Sequence, residues 1–390
     1  MVDPKLCSFV FADALYDGTS PNSKPNSLIC ISEKQITAVH EGVSPNDVPR
    51  DAICVPVAMP GFIDLQINGA GDVQFNFDVS VAGLETLVAA SAHGGATHIF
   101  PTFTTAPDSG FVEALEVVTQ AVASGVPGVA GIHLEGPFIS PARPGIHRSD
   151  FIRPLTKTDA DVLCEAAKSI TILLTLAPEE QDPQLLRQLS DSGIKLFAGH
   201  TEASAEDMDL ASRSGVVGVT HLFNAMRQSI ARDPGVVGAV LGSGDFFAGL
   251  IADGYHVHPR NLNLAVRSIP EQLCLVTDAM QTMNGNSKEM MLYGKRIVLE
   301  NGRLNGEDGT IGGAHLTMNE AVRNITQMTE ATLGDAAVFA STNPARAVGV
   351  HHTYGQIAAG FNASITMLDG DLNSVGVVRD GVYQCLEQTA

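Results

Sequence analysis

A handful of polar residues close otherwise apolar segments of this 390-residue chain, and their types suit hydrolysis at a metal ion. One apolar run ends in Asp64-Leu65-Gln66-Ile67-Asn68 and another in His133-Leu134-Glu135-Gly136. Three more end in Gly199-His200, Thr220-His221 and Thr277-Asp278. Glu135, His200 and His221 could supply three metal ligands and leave a fourth position for water, the open arrangement of a catalytic zinc site. Zinc lowers the pKa of such a water to about 7 and polarises a carbonyl. Asp278 could take that water's proton and pass it to a leaving amine. A single histidine at a strand end reads as a hydrogen-bonded core residue. Several such residues at equivalent places in successive segments do not, because a polar group there is costly unless it is satisfied or used.

The segments that must position them alternate in character. Eight apolar runs (60–67, 97–104, 129–136, 171–178, 194–200, 216–223, 246–254 and 272–279) have the near-continuous hydrophobicity of strands buried on both faces. Between them lie stretches of helical spacing such as VAGLETLVAASAHGG and DADVLCEAAKSI. Eight β/α units predict an α/β fold, a (β/α)8 TIM barrel, whose C-terminal strand ends would gather the polar residues on one face. The segment before it (SLICISEKQITAVHEG) and the C-terminal stretch (YGQIAAGFNASITMLDGDLNSVGVVRDGVYQ) alternate apolar and polar residues. They predict a small β-sandwich domain built from both ends of the chain, residues 1–58 and 351–390, with the catalytic barrel at 59–350.

Composition narrows the partners. With 43 Asp and Glu against 23 Lys and Arg, the formal charge is −20, which repels phosphate backbones and anionic membrane surfaces. Neither nucleic acid nor membrane is expected as a partner. An anionic substrate would need a few placed cations. The six cysteines are scattered without a CxxC pair, the pattern of reduced thiols, so a cytoplasmic location is expected. The N-terminus has no basic region followed by a long apolar run, so no secretory leader is expected.

In order along the chain, PGFIDLQINGAG, HLEGPF, GHTEAS, THLFNAM, LIADGYHVHP, LVTDAM, GGAHLTMNEAVRNI and NPARAVGV resemble the amidohydrolase superfamily. Within it they resemble the N-acetylglucosamine-6-phosphate deacetylase family over essentially the whole length. Where the superfamily usually begins its metal site with HxH, this chain reads Gln66-x-Asn68, which removes the obvious ligands for a second ion. The resemblance thus implies one divalent metal ion on Glu135, His200 and His221, with Gln66 left able to touch it directly or through water. Zn²⁺ suits that set, and Fe²⁺, Co²⁺ or Mn²⁺ would also support the chemistry.

The same resemblance implies an acid–base role for Asp278 and a hydrogen bond from His147 to the acetyl carbonyl. It implies backbone contacts to the sugar at Ile146, to the substrate near its phosphate at Asn224 and Ala225, and at Ile311, Gly312 and Gly313 on a loop after the eighth strand. Arg232 and His256 match a phosphate-binding pair, the arginine reaching the neighbouring site across a homodimer. The reaction implied is hydrolysis of the acetamide of N-acetyl-D-glucosamine 6-phosphate, with the galactosamine epimer or a related N-acetyl amino sugar phosphate as the alternative. Arg227 reads as a solvated loop charge, although it competes with Arg232 for the phosphate. His256-Val257-His258 imitates the missing HxH but follows the seventh strand, where the family places a substrate group. A non-catalytic scaffold is disfavoured because all four central residues are intact.

Overall fold

The computed structural model describes residues 5–107, 110–307 and 309–386. Each of the eight apolar runs contains one strand of a single parallel sheet, except that the second strand begins one residue before its run. These are β1 (Phe62–Ile67), β2 (Ala96–Thr104), β3 (Ile132–Glu135), β4 (Ile172–Leu176), β5 (Lys195–Ala198), β6 (Val216–Val219), β7 (Phe247–Leu250) and β8 (Leu273–Leu275). They neighbour one another in sequence order. A parallel bridge between Ile67 and Ala279 brings the first strand to the end of the last and closes the barrel. All nine residues of β2 and all six of β1 are buried, as strands covered by helices outside and side chains inside must be.

The closing seam is reinforced by a carboxylate. Asp64 on β1 accepts hydrogen bonds from the Thr277 hydroxyl and backbone N–H and from the Gln66 N–H. That ties β1 to the segment that delivers Asp278. Inside the barrel, His133 spans β2 to β4, with Nδ1 3.0 Å from Thr102 Oγ1 and Nε2 2.7 Å from Thr175 Oγ1. Burial pushes its imidazole down to about 4, so it stays neutral and satisfied beneath the site.

The strands from the two ends of the chain form one continuous, mixed eight-stranded sheet. Ile365–Leu368 pairs antiparallel with Ile53–Pro60, which also pairs in parallel with Phe9–Leu15. Ile53–Pro60 straddles the border expected at residue 58, and residues 1–4 and 387–390 of the expected small domain lie outside the described ones. Its core, including Val10, Ile29, Ile36, Ile365 and Val378, is separate from that of the barrel. Polar ties join the two: Thr366 Oγ1 donates to the Gly95 carbonyl and accepts from the Phe62 N–H, and Arg379 Nε donates to the Thr97 carbonyl. No helix among the described residues is long and apolar enough to cross a membrane.

A three-stranded antiparallel sheet, Glu289–Leu292, Lys295–Glu300 and Arg303–Gly306, follows β8 before the helix Met318–Met328. Its turns place Tyr293-Gly294 and Asn301-Gly302 at positive φ, the conformation that two-residue hairpin turns require. Met280, Met290, Leu292, Ile297 and Leu304 form a small core there, and Ile146 packs against it. This sheet thereby braces the loop that carries His147.

Candidate active site and metal centre

The four central residues occupy the C-terminal rim of the barrel. Glu135 is the last residue of β3, whereas His200, His221 and Asp278 lie just beyond β5, β6 and β8. Those three have φ of 49°, 32° and 49°, so the chain leaves each strand through a left-handed residue that is not glycine. Such a conformation is held at a cost and is concentrated where side chains must be aimed. Here it turns the side chains into the barrel mouth. All four are buried, with Glu135 3% and Asp278 9% exposed.

Glu135, His200 and His221 offer ligand atoms that lie close together. Glu135 Oε1 is 3.1 Å from His200 Nε2 and 3.0 Å from His221 Nε2, and the two nitrogens are 3.1 Å apart. His200 Nδ1 lies 2.9 Å from the Arg143 carbonyl, which can only accept, so that nitrogen carries the proton. Nε2 of His200 therefore faces a carboxylate oxygen and a second imidazole. Three acceptor atoms meeting in a buried pocket need a cation between them. Their spacing is close to the ~3.3 Å between ligands of a tetrahedral zinc, so the donor set fits a divalent metal.

Gln66 and Asn68 stand beside this cluster as amide donors. Gln66 Nε2 is 3.3 Å from Glu135 Oε1 and 3.1 Å from Asp278 Oδ1, so it braces both carboxylates with its donor side instead of presenting an oxygen to a metal. Asn68 Nδ2 donates to the same Asp278 oxygen over 2.7 Å. Burial, and then the charge of Glu135, push the Asp278 carboxyl up to about 6. A carboxyl in that range can both take and return a proton near neutral pH.

Beside these residues is a cavity of about 390 Å³, lined among others by Asn68, Ile146, His147, Asn224, Ala225 and His256. Gly145, at φ 56°, lets the loop approach His200, since a Cβ there would sit 3.0 Å from the ring. His147 Nδ1 is 2.8 Å from Thr105 Oγ1, leaving Nε2 for the cavity. His256 Nδ1 is 2.6 Å from Asp253 Oδ2, which orients the ring. His258 instead caps the helix Pro259–Ser268 by accepting from the Arg260 N–H, so the two halves of HVH point to different work.

Ile311 and Gly313 line the cavity. Gly312 backs onto Ile297, where a Cβ would come within 2.9 Å of its side chain. Gly313 has φ 68° and no room for a side chain against Met280 and the Asp278 carbonyl. Arg232 is exposed and outside the cavity of its own chain. Arg227 is paired with Asp233.

Some contributors escape a reading of the sequence. Arg143 lines the cavity and anchors His200 through its backbone oxygen, a role that no side-chain pattern reveals. Thr105 acts across 42 residues. The three-stranded sheet, in contrast, is signalled by its Asn301-Gly302 turn.

A model of the amidohydrolase family matches residues 57–384. The N-acetylglucosamine-6-phosphate deacetylase of Haemophilus influenzae is 34% identical over 327 residues, covering 83% of this chain and 85% of that protein. An N-acetylgalactosamine-6-phosphate deacetylase of Shewanella sp. is 33% identical, covering 83% and 82%. The crystal structure of N-acetylglucosamine-6-phosphate deacetylase from Pasteurella multocida superposes with a TM-score of 0.91 at 32% identity, covering 97% of this chain and all of the other. That of the Mycobacterium smegmatis enzyme, in a mutant form in complex with N-acetyl-D-glucosamine-6-phosphate, gives a TM-score of 0.88 at 28% identity over 96% and 98%. The barrel, the three-acceptor cluster at its rim and these relatives agree: the chain belongs to the amidohydrolase family.

Proposed function

We propose that this chain hydrolyses the acetamide of N-acetyl-D-glucosamine 6-phosphate, giving D-glucosamine 6-phosphate and acetate. The observation that carries this reading is the buried convergence of Glu135, His200 and His221 beside Asp278, in a chain about a third identical over most of its length to deacetylases of that substrate. Glu135, His200 and His221 would hold one divalent ion, Zn²⁺ by the ligand chemistry, which would supply Lewis acidity and lower the pKa of water there. Asp278 takes the proton of the attacking water and delivers it to the departing amine. His147 donates from Nε2 to the acetyl oxygen as negative charge develops there. His256, with the backbone at Asn224 and Ala225, holds the phosphate end, and Ile146, Ile311 and Gly313 border the sugar.

Arg232 serves the neighbouring subunit's phosphate in a homodimer, which accounts for an exposed arginine outside its own cavity. Six free thiols fit a cytoplasmic setting.

Relatives that act on N-acetylgalactosamine 6-phosphate are nearly as similar, which favours the C4 epimer as the second reading. Metal analysis combined with reconstitution on both 6-phosphates tests the whole proposal. One equivalent of metal per chain and a higher kcat/KM on the gluco epimer are expected. A higher value on the galacto epimer would transfer the assignment, and no turnover of either by the metal-loaded protein would overturn it.

A further inference from the structure

Thr105 follows β2 immediately and does not line the cavity, yet its side chain is wedged between two parts of the site. It is 2% exposed. Its Oγ1 lies 2.8 Å from His147 Nδ1 and 3.3 Å from the Glu135 carbonyl. That carbonyl already accepts the Thr105 backbone N–H over 2.9 Å. A carbonyl can accept a second bond, so the hydroxyl proton has two acceptors within reach, and the imidazole nitrogen is the nearer. The space is cut for this residue: a Cβ on Gly136 would stand 2.2 Å from Thr105 Oγ1.

A neutral imidazole carries one proton, and the partner of one nitrogen decides which nitrogen has it. If Thr105 donates to Nδ1, the proton must sit on Nε2, the nitrogen left for the cavity. That is the tautomer that can donate to a carbonyl oxygen. The opposite tautomer would turn a lone pair toward that oxygen and repel the charge developing on it.

We propose that Thr105 is a positioning residue that sets the tautomer and ring orientation of His147, so that Nε2–H faces the acyl oxygen. This rests on the role given to His147 above. Thr105→Val keeps the shape and the backbone N–H to Glu135 but removes the hydroxyl, and Thr105→Ser restores it. Loss of such an indirect partner typically costs about 10- to 100-fold in activity.

The expected result is that Val lowers kcat within that range while metal content stays at the wild-type value and KM moves less than about 3-fold. Ser recovers most of the loss. In a His147→Ala background, Thr105→Val changes kcat by less than about 2-fold, because the group it positions is gone.

Wild-type kcat in the Val variant would overturn the proposal. So would losses that multiply in the double variant, or a Val variant that loses metal, which would place its action on Glu135. If His147→Ala alone keeps near-normal kcat, the role of His147 fails first, and the proposal about Thr105 falls with it.

Discussion

Asn68 donates its amide N–H to Asp278 Oδ1 over 2.7 Å. Gln66 reaches the same oxygen from 3.1 Å. With Oδ1 engaged by two donors, Oδ2 is left to exchange a proton. Replacing Asn68 with Asp would exchange a donor for a like charge, which raises the pKa of Asp278. With Asp278 acting, as proposed, as a base in its ionised form, kcat/KM is expected to fall as pH drops through that pKa. A bound divalent cation favours the carboxylate, so the wild-type acid limb is expected at or below the value of about 6 that burial and Glu135 set. In Asn68→Asp it should move to higher pH, read from kcat/KM profiles of the two proteins. An unmoved limb would mean that Asp278 does not control it.

Asp278→Asn keeps the shape and removes the base. The ligands Glu135, His200 and His221 are untouched, so metal should remain at one equivalent by elemental analysis. Turnover should fall by about 10²- to 10⁴-fold, the scale of general acid–base catalysis. Near-normal kcat in the metal-loaded variant would remove Asp278 from the mechanism.

The three ligand atoms within 3.1 Å of one another would make the proposed metal a structural element as well. Chelation should abolish activity and lower Tm, since it leaves lone pairs opposed in a buried pocket. One equivalent of Zn²⁺ should restore both. Glu135→Gln, which removes the anionic ligand, should bind well under one equivalent and respond little to added Zn²⁺. Calorimetric unfolding with and without chelator reads the stability effect directly.

The barrel was legible because parallel strands buried on both faces leave uninterrupted apolar runs, and a polar residue closing such a run has few structural excuses. Glu135, His200, His221 and Asp278 stand out for that reason. From β3 onward the strands end earlier than the runs: β8 stops at Leu275, and left-handed Asp278 lies beyond it. Apolar character persists past the last ladder bond, so composition overstates strand length. Thr105–His147 and Arg143–His200 left no trace in spacing, because one joins segments 42 residues apart and the other uses a backbone oxygen.

The small sheet over the His147 loop yields a separable test. Ile297 is fully buried in its core and Ile146 packs against the same cluster. Tyr293 adds contacts to Phe77 and Phe151 and accepts from Asn76. Ile297→Ala leaves a void beneath Leu292 and Ile146, which border the cavity, without touching a ligand. KM is expected to rise about 3- to 10-fold with kcat held within about 3-fold, the signature of lost ground-state binding. Metal content should not change. A fall in kcat at constant KM would show that the sheet acts on the chemistry instead.

Away from the site, Arg153 grips Asp159 with two nitrogens at 2.6 and 2.8 Å, and Asp159 completes the capping box with Thr156 at the start of helix Lys157–Ala166. Burial would raise this carboxyl, but bonds from Arg153 and Thr156 outweigh it and hold the folded-state pKa below 3.8. The folded chain thus binds this proton less readily than the unfolded chain. The stabilisation is complete above the unfolded-state pKa and drains away as pH falls through the lower folded-state value. Asp159→Asn should cost about 1 kcal/mol near neutrality, the usual worth of a cap, seen as a Tm lowered by a few degrees at most. The gap between the two proteins should narrow as pH is taken below about 4. Comparing them at each pH cancels any common loss of metal. A gap that stays constant down to pH 3 would mean that the shape of Asp159, not its charge, stabilises the helix.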